Sequence, residues 1–190
     1  MTSILAHAQR PKVGLVLSGG GAKGMAHIGV IQILDSLEIP IDLVTGTSMG
    51  SIVGGLYSIG YTGDQIEREV VDVNWDDLMR DQPLREDRTL DDKFIQDVTL
   101  LSLDLDGVKV SLPSGLRRGQ KIYNKFVSLT IGYNQDLDFN SFPRPFACVA
   151  ADIKNSQQVV LRKGSLPKAI RASMAIPTFF DPVEYNEMLL

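Results

Sequence analysis

Ile41-Asp42-Leu43-Val44-Thr45-Gly46-Thr47-Ser48-Met49-Gly50-Ser51-Ile52-Val53-Gly54-Gly55-Leu56-Tyr57-Ser58-Ile59 is the stretch on which the reading of this chain turns. The apolar run Ile41 to Thr45 reads as a short buried strand that stops at Gly46. Ser51 to Ile59 then resumes an apolar, small-residue pattern at helical spacing. Between them, Gly46-Thr47-Ser48-Met49-Gly50 fits G-x-S-x-G, a strand–turn–helix element that lifts a serine hydroxyl above the end of a sheet. The turn is strained, and side chains larger than hydrogen at its glycine positions would collide. The helix that follows aims its free N–H groups and positive dipole end at the point where an oxyanion would develop. Ser48 is therefore the candidate catalytic nucleophile. Met49 N–H is a candidate oxyanion donor, and Gly46 and Gly50 support the turn. The alternative is a glycine-rich turn whose serine only caps the helix.

Upstream, Val13 to Leu17 is another short apolar strand, and it runs into Gly19-Gly20-Gly21-Ala22-Lys23-Gly24. Met25, Ile28, Ile31, Ile33, Leu34 and Leu37 then recur at helical spacing until Pro40. A glycine loop between strand and helix converges its N–H groups on one point, so Gly19, Gly20, Gly21 and Ala22 are candidates for an oxyanion hole, with Gly24 completing the motif. The same residues fit a second pattern. Gly19-x-Gly21-x-x-Gly24 matches the dinucleotide fingerprint, and Asp42 lies near the spacing of its ribose-binding acid. The loop alone leaves both readings open. The serine elbow after the next strand favours the hydrolase, because a nucleotide-binding protein has no need of it.

Further along, Thr62-Gly63-Asp64-Gln65 has capping-box spacing and opens a helix over Ile66 to Val73. Residues 80–98 are polar and read as an irregular excursion. Leu101, Leu103 and Leu105 alternate with polar residues, as do Val108, Val110 and Leu112. Asp106-Gly107 between the two sets signals a hairpin. Gln120 to Leu129 reads as a helix, and Pro145 to Ala151 and Gln157 to Arg162 as strands. Ser165 caps a helix over Leu166 to Ala175 that Pro177 closes, and Val183 begins a last strand. Strands alternating with helices predict an α/β fold: a mostly parallel sheet covered on both faces, with sites at the carboxyl ends of the strands.

Composition narrows the chemistry. The net charge of −4 comes from scattered residues with no basic stripe, which argues against a nucleic-acid partner. With one cysteine and two histidines, neither a disulfide, a cysteine metal cluster nor a three-histidine metal site can be built. No apolar run reaches the roughly 18 residues of a membrane-spanning helix. Ser3 to Ala8 reads as a signal remnant with Ala6-His7-Ala8 as its cleavage site, or as a disordered tail over 1–10; the first reading implies export to periplasm, outer membrane or medium, the second a cytoplasmic protein. The domain then occupies 11–190. It stops at Leu190 inside an apolar run with no turn residue after it, which predicts that the domain is cut short there.

Both histidines precede Ser48, whereas an α/β-hydrolase triad places its histidine after the serine. His7 lies in the tail, and His27 sits in a helix as a packing or surface residue. A carboxylate acting directly on the serine, as a dyad, fits better. Asp152 is the best acidic residue for this in the chain, although it and Asp181 read more simply as turn residues.

At this point the chain resembles the patatin-like phospholipase family, on three blocks in the family's order: Gly19 to Gly24, Gly46 to Gly50, and Ala172-Ser173-Met174-Ala175-Ile176-Pro177 with Phe179-Phe180. The stretch Leu116-Arg117-Arg118-Gly119-Gln120 and the hairpin near 100–112 resemble bacterial members. The resemblance implies a three-layer α/β/α fold and a Ser–Asp dyad with Ser48 as nucleophile. It implies Gly19 to Gly24 as oxyanion loop, with Lys23 where many members have arginine. It further implies hydrolysis of a phospholipid or acylglycerol ester without metal or cofactor, and peripheral membrane contact. The family aspartate stands in an Asp-Gly-Gly or Asp-Gly-Ala motif after the third block. This chain has none, so the resemblance places that aspartate just beyond Leu190; its absence here also raises a third possibility, a catalytically silent binding module.

Three smaller signals have plainer readings. Arg117, Arg118 and Lys121 suit phospholipid head groups but fit a solvated loop and helix start better. Trp75, Leu78 and Met79 suit a lipid-facing rim but fit helical packing better. Cys148 belongs to a buried strand as inert core.

Overall fold

The computed structural model describes residues 10–80, 104–106, 109–111 and 115–190. Apart from Arg10 and Arg80, the expected tail over 1–10 and the excursion over 80–98 lie outside the described residues. So do Leu101, Leu103, Val108 and Leu112 of the expected hairpin.

A four-stranded sheet forms the centre, in the order β1 (Gly14–Leu17), β2 (Leu43–Thr47), β7 (Phe146–Asp152), β8 (Gln157–Leu161). The first three strands are parallel, with Leu17, Gly46 and Cys148 in one row. β8 folds back antiparallel on β7, so the fourth expected strand is an edge strand in the opposite direction. The connections from β1 to β2 and from β2 to β7 step the same way across the sheet. Crossovers of one hand then place α1 (Ala26–Ser36) and α2 (Met49–Ser58) on the same face. A 3₁₀ turn, Gly21–Met25, precedes α1. The α/β class is as expected.

All residues of α2 are buried, and its small side chains let it lie against the sheet. A Cβ at Gly54 would stand 3.0 Å from Val44 Cγ1 and 3.3 Å from Leu17 Cδ1. One at Gly55 would stand 2.9 Å from Ile170 Cδ1, on the helix Leu166–Ser173. That helix, here α6, also covers β7, where Cys148 Sγ approaches Ala169 O at 3.6 Å. The helices that pack the sheet most closely thus share one face, burying Leu17, Val44, Phe146 and Cys148. The other face is open at Val16, Leu43 and Val160, which are 79%, 40% and 45% exposed.

α3 (Gly63–Val70) begins with the expected capping box: Thr62 Oγ1 accepts Gln65 N–H, and Gln65 Oε1 accepts Thr62 N–H. Asp35 joins three helices, accepting Tyr57 O–H at 2.9 Å and Gly63 N–H at 2.7 Å. α4 (Trp75–Arg80) and α5 (Gln120–Leu129) pack together. Trp75, Leu78 and Met79 lie against the core, as helical packing requires. Lys121 pairs with Asp77 at 2.9 Å rather than standing free for a head group. Not every apolar residue at helical spacing is inside: Ile33 and Leu37 on and after α1 are 60% and 64% exposed.

The smaller strands are paired outside the main sheet. β3 (Asp104–Asp106) and β4 (Lys109–Ser111) form an antiparallel pair with Asp106 opposite Lys109, in the region of the expected hairpin. β5 (Gly115–Arg117) runs parallel to β10 (Thr178–Phe180), and β6 (Leu137–Asp138) antiparallel to β9 (Lys163–Gly164). The expected last strand is a hairpin, β11 (Glu184–Tyr185) and β12 (Met188–Leu189). Asn186 and Glu187 between them have φ of 47° and 66°. That is the left-handed geometry of a tight hairpin turn, built without glycine.

Candidate active site

β2 ends at Thr47 and α2 starts at Met49, so Ser48 alone turns the chain. Its φ of 53° and ψ of −120° lie in a region that non-glycine residues rarely occupy, at a cost of about 1–3 kcal/mol. Such a conformation persists only if its surroundings enforce it, and the glycines do so. A Cβ on Gly46 would collide with the carbonyl of Gly50 and stand 2.7 Å from Ser51 Cα. A Cβ on Gly50 would collide with Leu17 O and stand 2.7 Å from Ser18 O. The two positions let α2 start against β1 and β2 at backbone contact.

Hydrogen bonds hold both polar groups of the Ser48 backbone. Its carbonyl accepts Ser51 N–H at 2.8 Å, Ser51 Oγ–H at 2.6 Å and Ile52 N–H at 3.2 Å. Its N–H donates to Ser173 Oγ at 2.9 Å, and Ser173 Oγ donates to Val149 O at 2.6 Å. Met49 and Gly50 open the helix, where N–H groups have no intrahelical acceptor. Met49 is the residue directly after the serine, and its side chain is buried.

The glycine loop comes to the same place. A Cβ on Gly19 would lie 3.4 Å from Ser48 Cβ and 3.5 Å from Thr47 O. Gly24 is packed on Met49, with 2.7 Å between a Cβ built there and Met49 Cβ. Gly20 O accepts Lys23 N–H at 3.2 Å, and Gly21 takes a left-handed φ of 54°. Ser48, Met49 and the segment Gly19 to Gly24 are thus neighbours at the carboxyl ends of β1 and β2, and the Lys23 side chain is exposed beside them.

His27 Nε2 lies 2.9 Å from Ser18 O. A carbonyl only accepts, so that nitrogen carries a hydrogen and the ring ties down the loop entry. Asp152 accepts Asn155 Nδ2–H at 2.6 Å and Lys154 N–H at 3.0 Å. The Asn155 amide, with the backbone N–H groups around it, holds this carboxyl below its ordinary range. It is a turn residue of the β7–β8 hairpin. Asp181 presents its backbone carbonyl to Arg171 Nη2 at 3.0 Å. Among the described residues, no histidine or carboxylate hydrogen-bonds Ser48 Oγ.

Asp42 bears on the nucleotide alternative. It stands before the first residue of β2, level with Val13, while the glycine loop leaves the far end of β1. The strand between separates them by roughly 13–17 Å at about 3.3 Å per residue. Both carboxylate oxygens are held by Arg10 at 2.7 Å, and one also accepts Val13 N–H. Asp42 is therefore at the wrong end of the strand to receive a ribose bound at the loop.

Two contributors bear no recognisable signal in the sequence. Ser173 stood inside the third block, where nothing in its spacing shows that it returns to Ser48 N–H. Arg171 is 4% exposed and lies 4.5 Å from the Phe180 ring centroid. It donates to Arg118 O at 2.9 Å and to Asp181 O, joining β5, α6 and β10.

The family model described as patatin-like phospholipase matches residues 15–189. Lysophospholipase NTE1 of Candida albicans is 31% identical over 94% of this chain and 11% of its own length. A patatin-like phospholipase domain-containing protein of Caenorhabditis elegans is 32% identical over 90% of this chain and 11% of its own. An NTE family protein of Mycobacterium tuberculosis is 33% identical over 94% and 25%. The chain therefore spans between 11% and 25% of the length of these relatives. Among solved structures, the type III effector protein ExoU matches with a TM-score of 0.52 at 18% identity, over 89% of this chain and 40% of that one. At that identity the likeness bears on the fold.

Proposed function

This chain belongs to the patatin-like phospholipase family, and from that premise we propose that it acts as a serine acyl hydrolase on lipid esters, with Ser48 as nucleophile. The observation that carries the reading is the elbow itself. Ser48 sits in a costly backbone conformation enforced by Gly46 and Gly50, at the N-terminus of a buried helix and beside a glycine loop. Strain of this kind, maintained by close packing, has a use when a hydroxyl must stand clear of the sheet.

The chemistry follows from the arrangement. Ser48 Oγ attacks the ester carbonyl carbon as its proton passes to a base. Negative charge collects on the carbonyl oxygen, where Met49 N–H and the N–H groups of Gly19 to Ala22 are the donors at hand. Collapse of the intermediate expels the alcohol and leaves an acyl-serine, which water hydrolyses. The base is an aspartate, the dyad partner that the family resemblance implies. His27, bonded to Ser18 O, is occupied elsewhere. No step calls for a metal or cofactor. The substrate class is a phospholipid, lysophospholipid or acylglycerol, met at a membrane surface.

A fluorophosphonate probe tests the nucleophile. It should modify the full-length protein at one serine, and peptide mass mapping should find the adduct on Ser48. Modification at another residue, or none, would overturn the reading.

A further inference from the structure

We propose that Ser173 is a positioning residue for the nucleophile, its hydroxyl acting as an inserted rung in the β2–β7 ladder that holds the elbow open. The inference rests on the reading of Ser48 as nucleophile and adds to it a residue from a helix far away in sequence.

The ladder shows what the hydroxyl replaces. In the parallel pair β2–β7, Val44 N–H donates to Pro145 O at 2.9 Å, and Thr47 lies opposite Val149. A parallel ladder repeats every two residues. Carried forward two steps, the Val44–Pro145 rung brings Ser48 N–H to Val149 O. That direct bond is absent. Ser173 Oγ stands between, accepting from Ser48 N–H at 2.9 Å and donating to Val149 O at 2.6 Å. The spacer appears at the residue where β2 must leave the sheet.

Two consequences follow. Ser48 N–H is committed to Ser173, so it is withdrawn from the oxyanion site and Met49 N–H is the nearest helix donor left. The strained residue is also gripped at both ends, through its carbonyl by Ser51 and through its amide by Ser173. Without the hydroxyl, Ser48 N–H is free to close on Val149 O, which extends β2 by a residue and draws the nucleophile toward the sheet. Ser173 donates its single hydrogen to Val149, so it has none to offer the ester and does not act on the substrate.

The test compares Ser173→Thr with Ser173→Val in the full-length protein. These side chains have the same shape and differ in the hydroxyl. The valine variant should lose about tenfold in kcat with KM nearly unchanged, as expected for one hydrogen bond that positions the nucleophile. The threonine variant should restore kcat to within about threefold of wild type. Hydrogen exchange at the residue 48 amide should accelerate in the valine variant and stay protected in the threonine variant. Equal kcat and equal exchange in the two variants would overturn the proposal, because shape rather than the hydroxyl would then be responsible. The exchange measurement needs no turnover, so it decides the role of Ser173 even if Ser48→Ala shows that the nucleophile lies elsewhere.

Discussion

Gly50 lies against the last residue of β1: a Cβ at this position would collide with the carbonyl oxygen of Leu17. The elbow helix therefore starts in contact with the backbone of the neighbouring strand. Relief requires either α2 to lift or β1 to shift, and both disturb the buried core around Leu17, Val44 and Ile52.

Gly50→Ala should consequently cost on the order of 3 kcal/mol or more, as severe overpacking does. Gly29→Ala is the control. Gly29 lies inside α1 with nothing near a built Cβ, so alanine there should stabilise by about 0.5–1 kcal/mol. Urea denaturation of both variants checks the pair. A Gly50→Ala protein as stable as wild type would show that the elbow is not packed as described.

Gly24→Ala should lower activity and stability together. Its Cβ would stand 2.7 Å from both Met49 Cβ and Met49 Cγ, atoms that move only with the start of α2. Shifting them displaces the Met49 N–H proposed for the oxyanion. The expected result is a fall in kcat on the order of a hundredfold together with a stability loss of about 1–3 kcal/mol. Steady-state kinetics beside a thermal melt measures both, and unchanged kcat would remove Met49 N–H from the mechanism.

Thr62→Ala should cost about 1 kcal/mol, because it removes the hydroxyl that accepts Gln65 N–H in the capping box. Denaturant titration gives the value, and a change near zero would mean that water replaces the cap without loss.

Cys148 gives a pH signature. Burial pushes its thiol up to about 12 in the folded protein, while an unfolded cysteine ionises near about 8.5. Below the unfolded value both states are protonated and the contribution is fully present. As pH rises between the two values, the unfolded chain loses a proton that the folded one keeps, so stability falls. Cys148→Ala should flatten the stability profile between about pH 8 and about pH 10 relative to wild type. A thiol reagent should modify Cys148 only as fast as the protein opens. Fast labelling of the native protein would contradict its burial.

Much of this architecture was legible because it is local. The apolar runs before Gly19 and Gly46, the capping box at Thr62 and the G-x-S-x-G spacing each record a constraint that neighbouring residues impose on one another. Relationships across long sequence separations were not legible. Nothing between Ser48 and Ser173 marks their contact, and a strand's apolar pattern does not tell its direction, so β8 emerged antiparallel. Asp42 shows how spacing misleads: its distance in sequence from the glycine loop suits a ribose ligand, yet the register of β1 and β2 places it at the other end of the sheet. The terminal hairpin escaped because its left-handed turn uses Asn186 and Glu187 where glycine is the usual signal.

The most direct test of the central claim is ester hydrolysis by the full-length protein and its Ser48→Ala variant, on a short-chain nitrophenyl ester and on phosphatidylcholine. The account predicts turnover by the wild type and a loss of more than about a thousandfold in the variant, with folding unchanged. Turnover that survives the substitution, or a wild type that hydrolyses neither substrate, would contradict it.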